Sequence, residues 1–202
     1  MRAVQLLNLL RINKLRIFTT GDMLNLTGMT RTAASQSLAR LEEQELLVRI
    51  KRGVWVNQTA ERINPYEATP YLAAPWPAYI SLYSALADAG VIEELPQVIY
   101  AVTSHQPKKM STPIGEFRFH HIPTRLVWGY AVKQFASGSY PVAEPEKAFL
   151  DLVYLSLIPR SPIQRVHKRS KKWNLDAKKL HRYAVQFQYP PLLKYLKQLK
   201  II

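Results

Sequence analysis

Apolar positions at the start of the chain recur with a helical period. Val4, Leu6, Leu7 and Leu10 share one face of a first helix. Phe18-Thr19-Thr20 comes next, with Thr19 or Thr20 as the N-cap of a short helix, GDMLNLTG. Met23, Leu24 and Leu26 are its apolar residues, and Gly28 closes it. Thr30 caps a longer helix, TRTAASQSLARLEEQELL, in which Ala34, Leu38 and Leu41 fall at i, i+4 and i+7 and make the buried face. The period then changes to that of strands. Residues 48–51 and 54–57 flank Arg52-Gly53, a hairpin turn signal, and Trp55 is placed to anchor the hairpin to the core. Short helix, tight turn, longer helix and basic hairpin predict a winged helix-turn-helix over residues 1–60.

Prolines punctuate the next stretch of chain. Pro65, Pro70, Pro75 and Pro77 stand too close together for a helix interior or a central strand. Residues 61–78 therefore predict an extended linker leaning on a surface through Tyr66, Tyr71 and Trp76. Beyond it the pattern predicts a helix over 77–90, with Pro77 in its first turn and Gly90 at its C-terminal end. Strands are expected over 97–103 and 116–122, joined by the basic loop SHQPKKMSTPIG, with a third strand within 125–132. Residues 141–143 lead into a helix in which Pro145 takes the first position and Glu144 and Glu146 suit the first turn. Two further helices are expected over 174–187 and 191–199. The expected fold class is α+β: a winged helix-turn-helix, then a mixed α+β domain over 79–202 with a basic helical end.

Charge sharpens this outline. The chain of 202 residues carries a formal net charge of +14, which draws it toward polyanions. Residues 61–159 are slightly acidic, so the basic character sits at the two ends. The apolar share of 48% is enough for a packed core. No apolar run is long enough for a membrane span, and the charged N-terminus does not read as a signal peptide. No cysteine is present, which excludes disulfides, thiolate metal sites and cysteine nucleophiles and suits a reducing cytoplasm.

The exposed face of the third helix carries the candidate chemistry. Arg31, Thr32, Ser35, Gln36 and Arg40 come after Thr30, and no acid occurs before Glu42. Short polar side chains and Arg suit base edges and phosphates, and a helix N-terminus favours phosphate. Arg49, Lys51 and Arg52 place three cations on the wing. Within the tail RSPIQRVHKRSKKW, residues 160–173, Arg165, Lys168, Arg169, Lys171 and Lys172 could track a phosphate backbone, with Trp173 available for stacking. From charge alone the polyanion is operator DNA, RNA or an acidic protein.

Two other readings belong to different classes. A metal-dependent nucleic-acid enzyme would use Glu144, Glu146 and Asp151, but the spacing is poor. Glu146 and Lys147 are adjacent and face apart, and Lys147 and Asp151, at i and i+4, pair more simply with each other. His120 and His121 point to opposite faces of one strand, and no metal-ligand or phosphate-loop motif occurs, so no cofactor or metal is expected. The remaining reading is a protein-binding module without a DNA role.

The winged helix, the 79–90 helix with Ser84-Ala85-Leu86 and Gly90, the strand ending Phe117-Arg118-Phe119-His120-His121-Ile122 and the run 142–152, VAEPEKAFLDL, together resemble the AbiEi-type antitoxins of bacterial type IV toxin–antitoxin systems. The last run resembles the family's Pro-Glu-Lys-Ala…Asp signature, with Glu144 in place of the usual small polar residue before Pro145. The resemblance implies a two-domain autorepressor that binds inverted repeats upstream of its own operon. It also implies a C-terminal domain that neutralises a nucleotidyltransferase-like toxin. By the same resemblance Glu146, Lys147 and Asp151 are residues of the fold and not catalysts.

Overall fold

The computed structural model describes residues 3–165 and 173–201. Helix α1 (Ala3–Ile12) buries Leu6 and Leu10. A short strand, β1 (Ile17–Thr19), lies where the sequence announced only a helix cap. Thr19 is the cap of α2 (Thr20–Thr27): its hydroxyl accepts from the Asp22 amide, and its own amide donates to the Asp22 carboxylate at 2.7 Å. Gly28 ends α2 at φ +64°, a left-handed conformation that glycine adopts without penalty. Thr30 then caps α3 (Arg31–Glu43) by accepting from the Ala33 amide.

The hairpin of β2 (Leu47–Lys51) and β3 (Val54–Asn57) turns at Arg52-Gly53, with Gly53 at φ +75°. Strand β3 lies between β1 and β2 in a three-stranded antiparallel sheet. Phe18, Met23, Ala34, Leu38, Leu41 and Trp55 form the core of this winged segment together with the buried face of α1. The helix-turn-helix and wing expected from the pattern are thus present, with β1 as an added strand.

Residues 61–78 are not an extended linker. Asn64 caps a 3₁₀ turn (Pro65–Ala68), and α4 (Thr69–Ala73) and β4 (Ala78–Ile80) come after it. Pro65 is the first residue of its 3₁₀ turn and Pro70 the second of α4, positions in a first turn where the missing N–H has no partner to lose. Clustered prolines therefore mark a series of element starts. Ala68, Leu72 and Ala73 are buried.

The expected helix over 77–90 divides into β4 and α5 (Leu82–Asp88), because residues 78–80 pair with a neighbouring strand. The second sheet has the order β6-β7-β5-β4-β9-β8. Its members are β5 (Val98–Thr103), β6 (Lys108–Thr112), β7 (Gly115–His121), β8 (Tyr130–Phe135) and β9 (Gly138–Ala143). The expected basic loop between β5 and β7 contains β6, an edge strand whose polar side chains gave no apolar alternation. With β6 as the return strand, β5 and β7 run parallel. The third strand lies at 130–135, later than expected, and residues 141–143 belong to β9.

Helix α6 (Pro145–Leu157) is buried along nearly its whole length and packs against α5, α7 (Ala177–Gln186) and α8 (Pro190–Gln198). Winged segment and body share apolar contacts. Ile17, Ile50, Val54 and Val56 belong to the same buried cluster as Leu72, Tyr79 and Phe149. The architecture is mixed α+β, a helix-turn-helix with a sheet-rich C-terminal region after it.

Candidate nucleic-acid interface

Helix α3 is held from below by Ala34, Leu38 and Leu41, all almost fully buried. That fixes its rotation and turns the opposite face outward. Thr32, Ser35, Gln36 and Arg40 are exposed around it, and Arg31, three residues before Ala34 and so in line with the buried stripe, is exposed because it begins the helix. Thr30 is exposed too, and its hydroxyl satisfies the Ala33 amide. Amides of the first helical turn and Arg31 therefore stand at the start of α3, Arg40 projects nine residues further along, and no acid lies between them, a donor-rich set suited to phosphates and base edges.

The wing is clamped to the start of α2. Trp55 Nε1 donates to Thr20 Oγ1 at 3.0 Å, and the Thr20 amide donates to the Gly53 carbonyl at 2.9 Å. The indole thus ties β3 to the start of α2. Arg49 is exposed, with its guanidinium over the Trp55 ring at 5.8 Å and 3.9 Å from Glu42. Arg52 is exposed in the turn itself.

Lys51 departs from the expected role. It is half-buried, and its Nζ donates to the Leu72 carbonyl at 3.2 Å, so it reaches toward the body of the molecule. Lys108 Nζ donates to the same carbonyl at 2.7 Å. Burial and the neighbouring Lys51 push the Lys108 ammonium below its ordinary pKa. The place in the hairpin that put Lys51 among the wing cations could not register this acceptor in α4.

The basic tail is divided. Arg165 is exposed, while Lys168, Arg169, Lys171 and Lys172 lie outside the described residues. Trp173 is not a free stacking surface. It is half-buried, with its ring 5.1 Å from that of Phe149.

The carboxylates of the enzyme reading do not converge. Asp151 is fully buried and forms an ion pair with Lys147, as their i, i+4 spacing predicts. Tyr79 and Ser81 hydroxyls also donate to it, at 3.1 and 2.8 Å. Lys147 Nζ donates to Tyr79 Oη at 2.7 Å and lies over the rings of Tyr79, Trp128 and Phe187. Burial lowers the Lys147 pKa and raises that of Asp151, and their mutual attraction opposes both shifts. Glu144 and Glu146 turn the other way, toward Lys179, at 3.4 and 3.1 Å. Among the described residues no group of three or more His, Asp or Glu side chains is arranged to hold a metal ion. The run around Pro145 thus works as a structural centre: a helix start with an ion pair sealed beneath it.

No helix among the described residues is long and apolar enough to cross a membrane. Residues 4–58, about a quarter of the chain, match the family described as transcriptional regulator, AbiEi antitoxin. The match spans the helix-turn-helix and the wing, and it supports the AbiEi-type antitoxin family. At this level the chain is similar to transcriptional regulators of the antitoxin class. No curated protein matches it.

Proposed function

We propose that this chain, an AbiEi-type transcriptional regulator by its N-terminal segment, is a DNA-binding autorepressor and antitoxin. It binds inverted repeats upstream of its own operon and neutralises a nucleotidyltransferase-like toxin encoded beside it. The observation that carries the DNA half is the exposed, acid-free set of α3 residues before Glu42: Arg31, Thr32, Ser35, Gln36 and Arg40, on a helix anchored by Ala34, Leu38 and Leu41. In this reading α3 enters the major groove, and its first turn meets a phosphate. Gln36 and the two Arg side chains have the hydrogen-bonding groups to pair with base edges. Arg52 and Arg49 hold the backbone from the wing, and Arg165, Lys168, Arg169, Lys171 and Lys172 supply further phosphate contacts from the body. Lys51 contributes to the docking of the wing through Leu72.

The net charge of +14 supports rapid, salt-sensitive association with DNA whatever the sequence, so charge alone does not make a repressor. Selectivity is the property to test. A gel-shift titration with the DNA immediately upstream of the gene, against unrelated DNA of equal length and at two salt concentrations, separates the two. Upstream-selective binding that weakens with salt supports the proposal. Equal binding to both DNAs contradicts it. The antitoxin half is tested by co-expression with the product of the adjacent reading frame: relief of its toxicity supports that role, and unchanged toxicity contradicts it.

A further inference from the structure

The body carries a cleft of about 580 Å³ on the β5–β7–β6 side of its sheet, a size that suits a small-molecule ligand. Tyr83 of α5, Tyr100 of β5 and Ile163 contribute to its walls, and Lys109 of β6 and Arg118 of β7 stand on its lining. Lys109 and Arg118 are directly opposite each other in the antiparallel β6–β7 pair. Like charges in that position repel. Neither forms an ion pair among the described residues, and Glu116, two residues before Arg118 on the same face of β7, stands opposite Ser111.

His120 stands two residues after Arg118, on the same face of β7. Its ring stacks on Tyr100, with centroids 6.0 Å apart and planes 17° apart, and Tyr100 meets Tyr83 edge-on at 5.5 Å. His120 is 8% exposed, and its Nε2 has no hydrogen-bond partner among the described residues. Burial and the adjacent Arg118 cation hold its pKa down to about 4, so the ring is neutral at physiological pH. The cleft therefore combines an uncharged aromatic surface with two cations that no ion pair engages among the described residues. An aromatic ring with an attached phosphate matches both features: the ring meets the tyrosines and the phosphate relieves the repulsion between Lys109 and Arg118.

We propose that this cleft is a binding site for a nucleoside phosphate, its base against Tyr83 and Tyr100 and its phosphate between Lys109 and Arg118. The site lies on the second sheet, and its existence does not depend on the DNA-binding role of α3.

Isothermal titration of the full chain with adenosine, guanosine, cytidine and uridine 5′-monophosphates, with adenosine and with inorganic phosphate tests this. The expected result is binding of at least one monophosphate, with adenosine and inorganic phosphate each weaker by about tenfold or more. Lys109→Ala and Arg118→Met should each weaken that binding by about tenfold, the loss expected for one charge-assisted contact. Upstream-DNA binding should be unchanged in both variants. Lys109 is exposed, so its variant keeps the test valid if Arg118→Met fails to fold. In NMR titrations the His120 ring should move to a higher pKa when nucleotide is bound, because an anion offsets the field of Arg118. No binding up to about 1 mM of any monophosphate would overturn the proposal. So would inorganic phosphate binding as tightly as the nucleotides, or unchanged affinity in Lys109→Ala. Loss of DNA affinity in that variant without any nucleotide binding would instead assign the two cations to the DNA contact.

Discussion

The Arg16 guanidinium grips the Glu67 carboxylate through two hydrogen bonds, Nε to Oε2 at 2.9 Å and Nη2 to Oε1 at 3.0 Å. Both side chains are buried, and they join the entry to β1 with the 3₁₀ turn just beyond the winged segment. Arg16 also donates to the Arg62 carbonyl and to Ser137 Oγ, both at 2.8 Å. The bond to Glu67 raises the Arg16 pKa above its ordinary value. The orientation of the winged segment relative to the body is therefore set by a two-point ionic clamp as well as by shared apolar contacts.

Removing one side of this clamp leaves a charge buried without its partner. Arg16→Met should destabilise the protein by about 3–5 kcal/mol in denaturant unfolding, and Arg16→Met/Glu67→Leu should recover part of that loss. Gly138→Ala should act on the same clamp from outside it, since a Cβ there would stand 2.1 Å from Glu67 Oε2. A loss below about 0.5 kcal/mol in Arg16→Met would contradict the clamp.

The Lys147–Asp151 pair makes the same kind of prediction inside the body. Lys147→Met leaves Asp151 buried with only the Tyr79 and Ser81 hydroxyls as donors. A loss of about 3–5 kcal/mol is expected, measured by the same unfolding titration. Under conditions where Asp151→Asn stays folded, its DNA affinity should equal that of the wild type, and neither protein should turn over nucleic acid with added Mg²⁺. Turnover abolished by Glu146→Ala would revive the enzymatic reading.

His120 gives stability a dependence on pH. Its folded pKa of about 4 lies below the ordinary value of 6.5, so the unfolded chain binds more protons between the two. The neutral ring's contribution is intact above pH ~6.5 and is lost as pH falls toward ~4, worth about 3 kcal/mol across that window. Arg118 on the same strand adds to the shift, and Tyr100 across the sheet carries no charge in this range. Thermal melts from pH 7 to pH 4 should fall less steeply for His120→Gln than for the wild type. Parallel curves would contradict the assignment.

The winged helix was legible in the sequence because its signals are local: a cap at Thr30, a glycine at 28, apolar residues at helical spacing and a two-residue turn at Arg52-Gly53. The Pro145 helix start and the Lys147–Asp151 pair were legible for the same reason. The body was harder. Residues 78–80 stand between a proline cluster and a helical pattern, and only pairing with β5 and β9 makes them a strand. Strand β6 is polar and owes its form to β7. Lys51, Arg16 and Glu67 find partners 21 and 51 residues away, distances that no pattern of neighbours encodes. The cleft is invisible for a related reason: Tyr83, Tyr100, Lys109 and Arg118 come from four separate elements.

Fluorescence anisotropy with labelled upstream DNA, over a range of salt, tests the DNA-reading role of α3 most directly. Arg31→Ala and Arg40→Ala are exposed substitutions that leave the core of α3 intact. Each should cost about 1–3 kcal/mol of binding to the upstream DNA if it meets a base. Arg52→Ala should weaken upstream and unrelated DNA alike and reduce the salt slope by about one. Unchanged upstream affinity in both α3 variants, with wild-type folding, would contradict the assignment of α3 as the DNA-reading element.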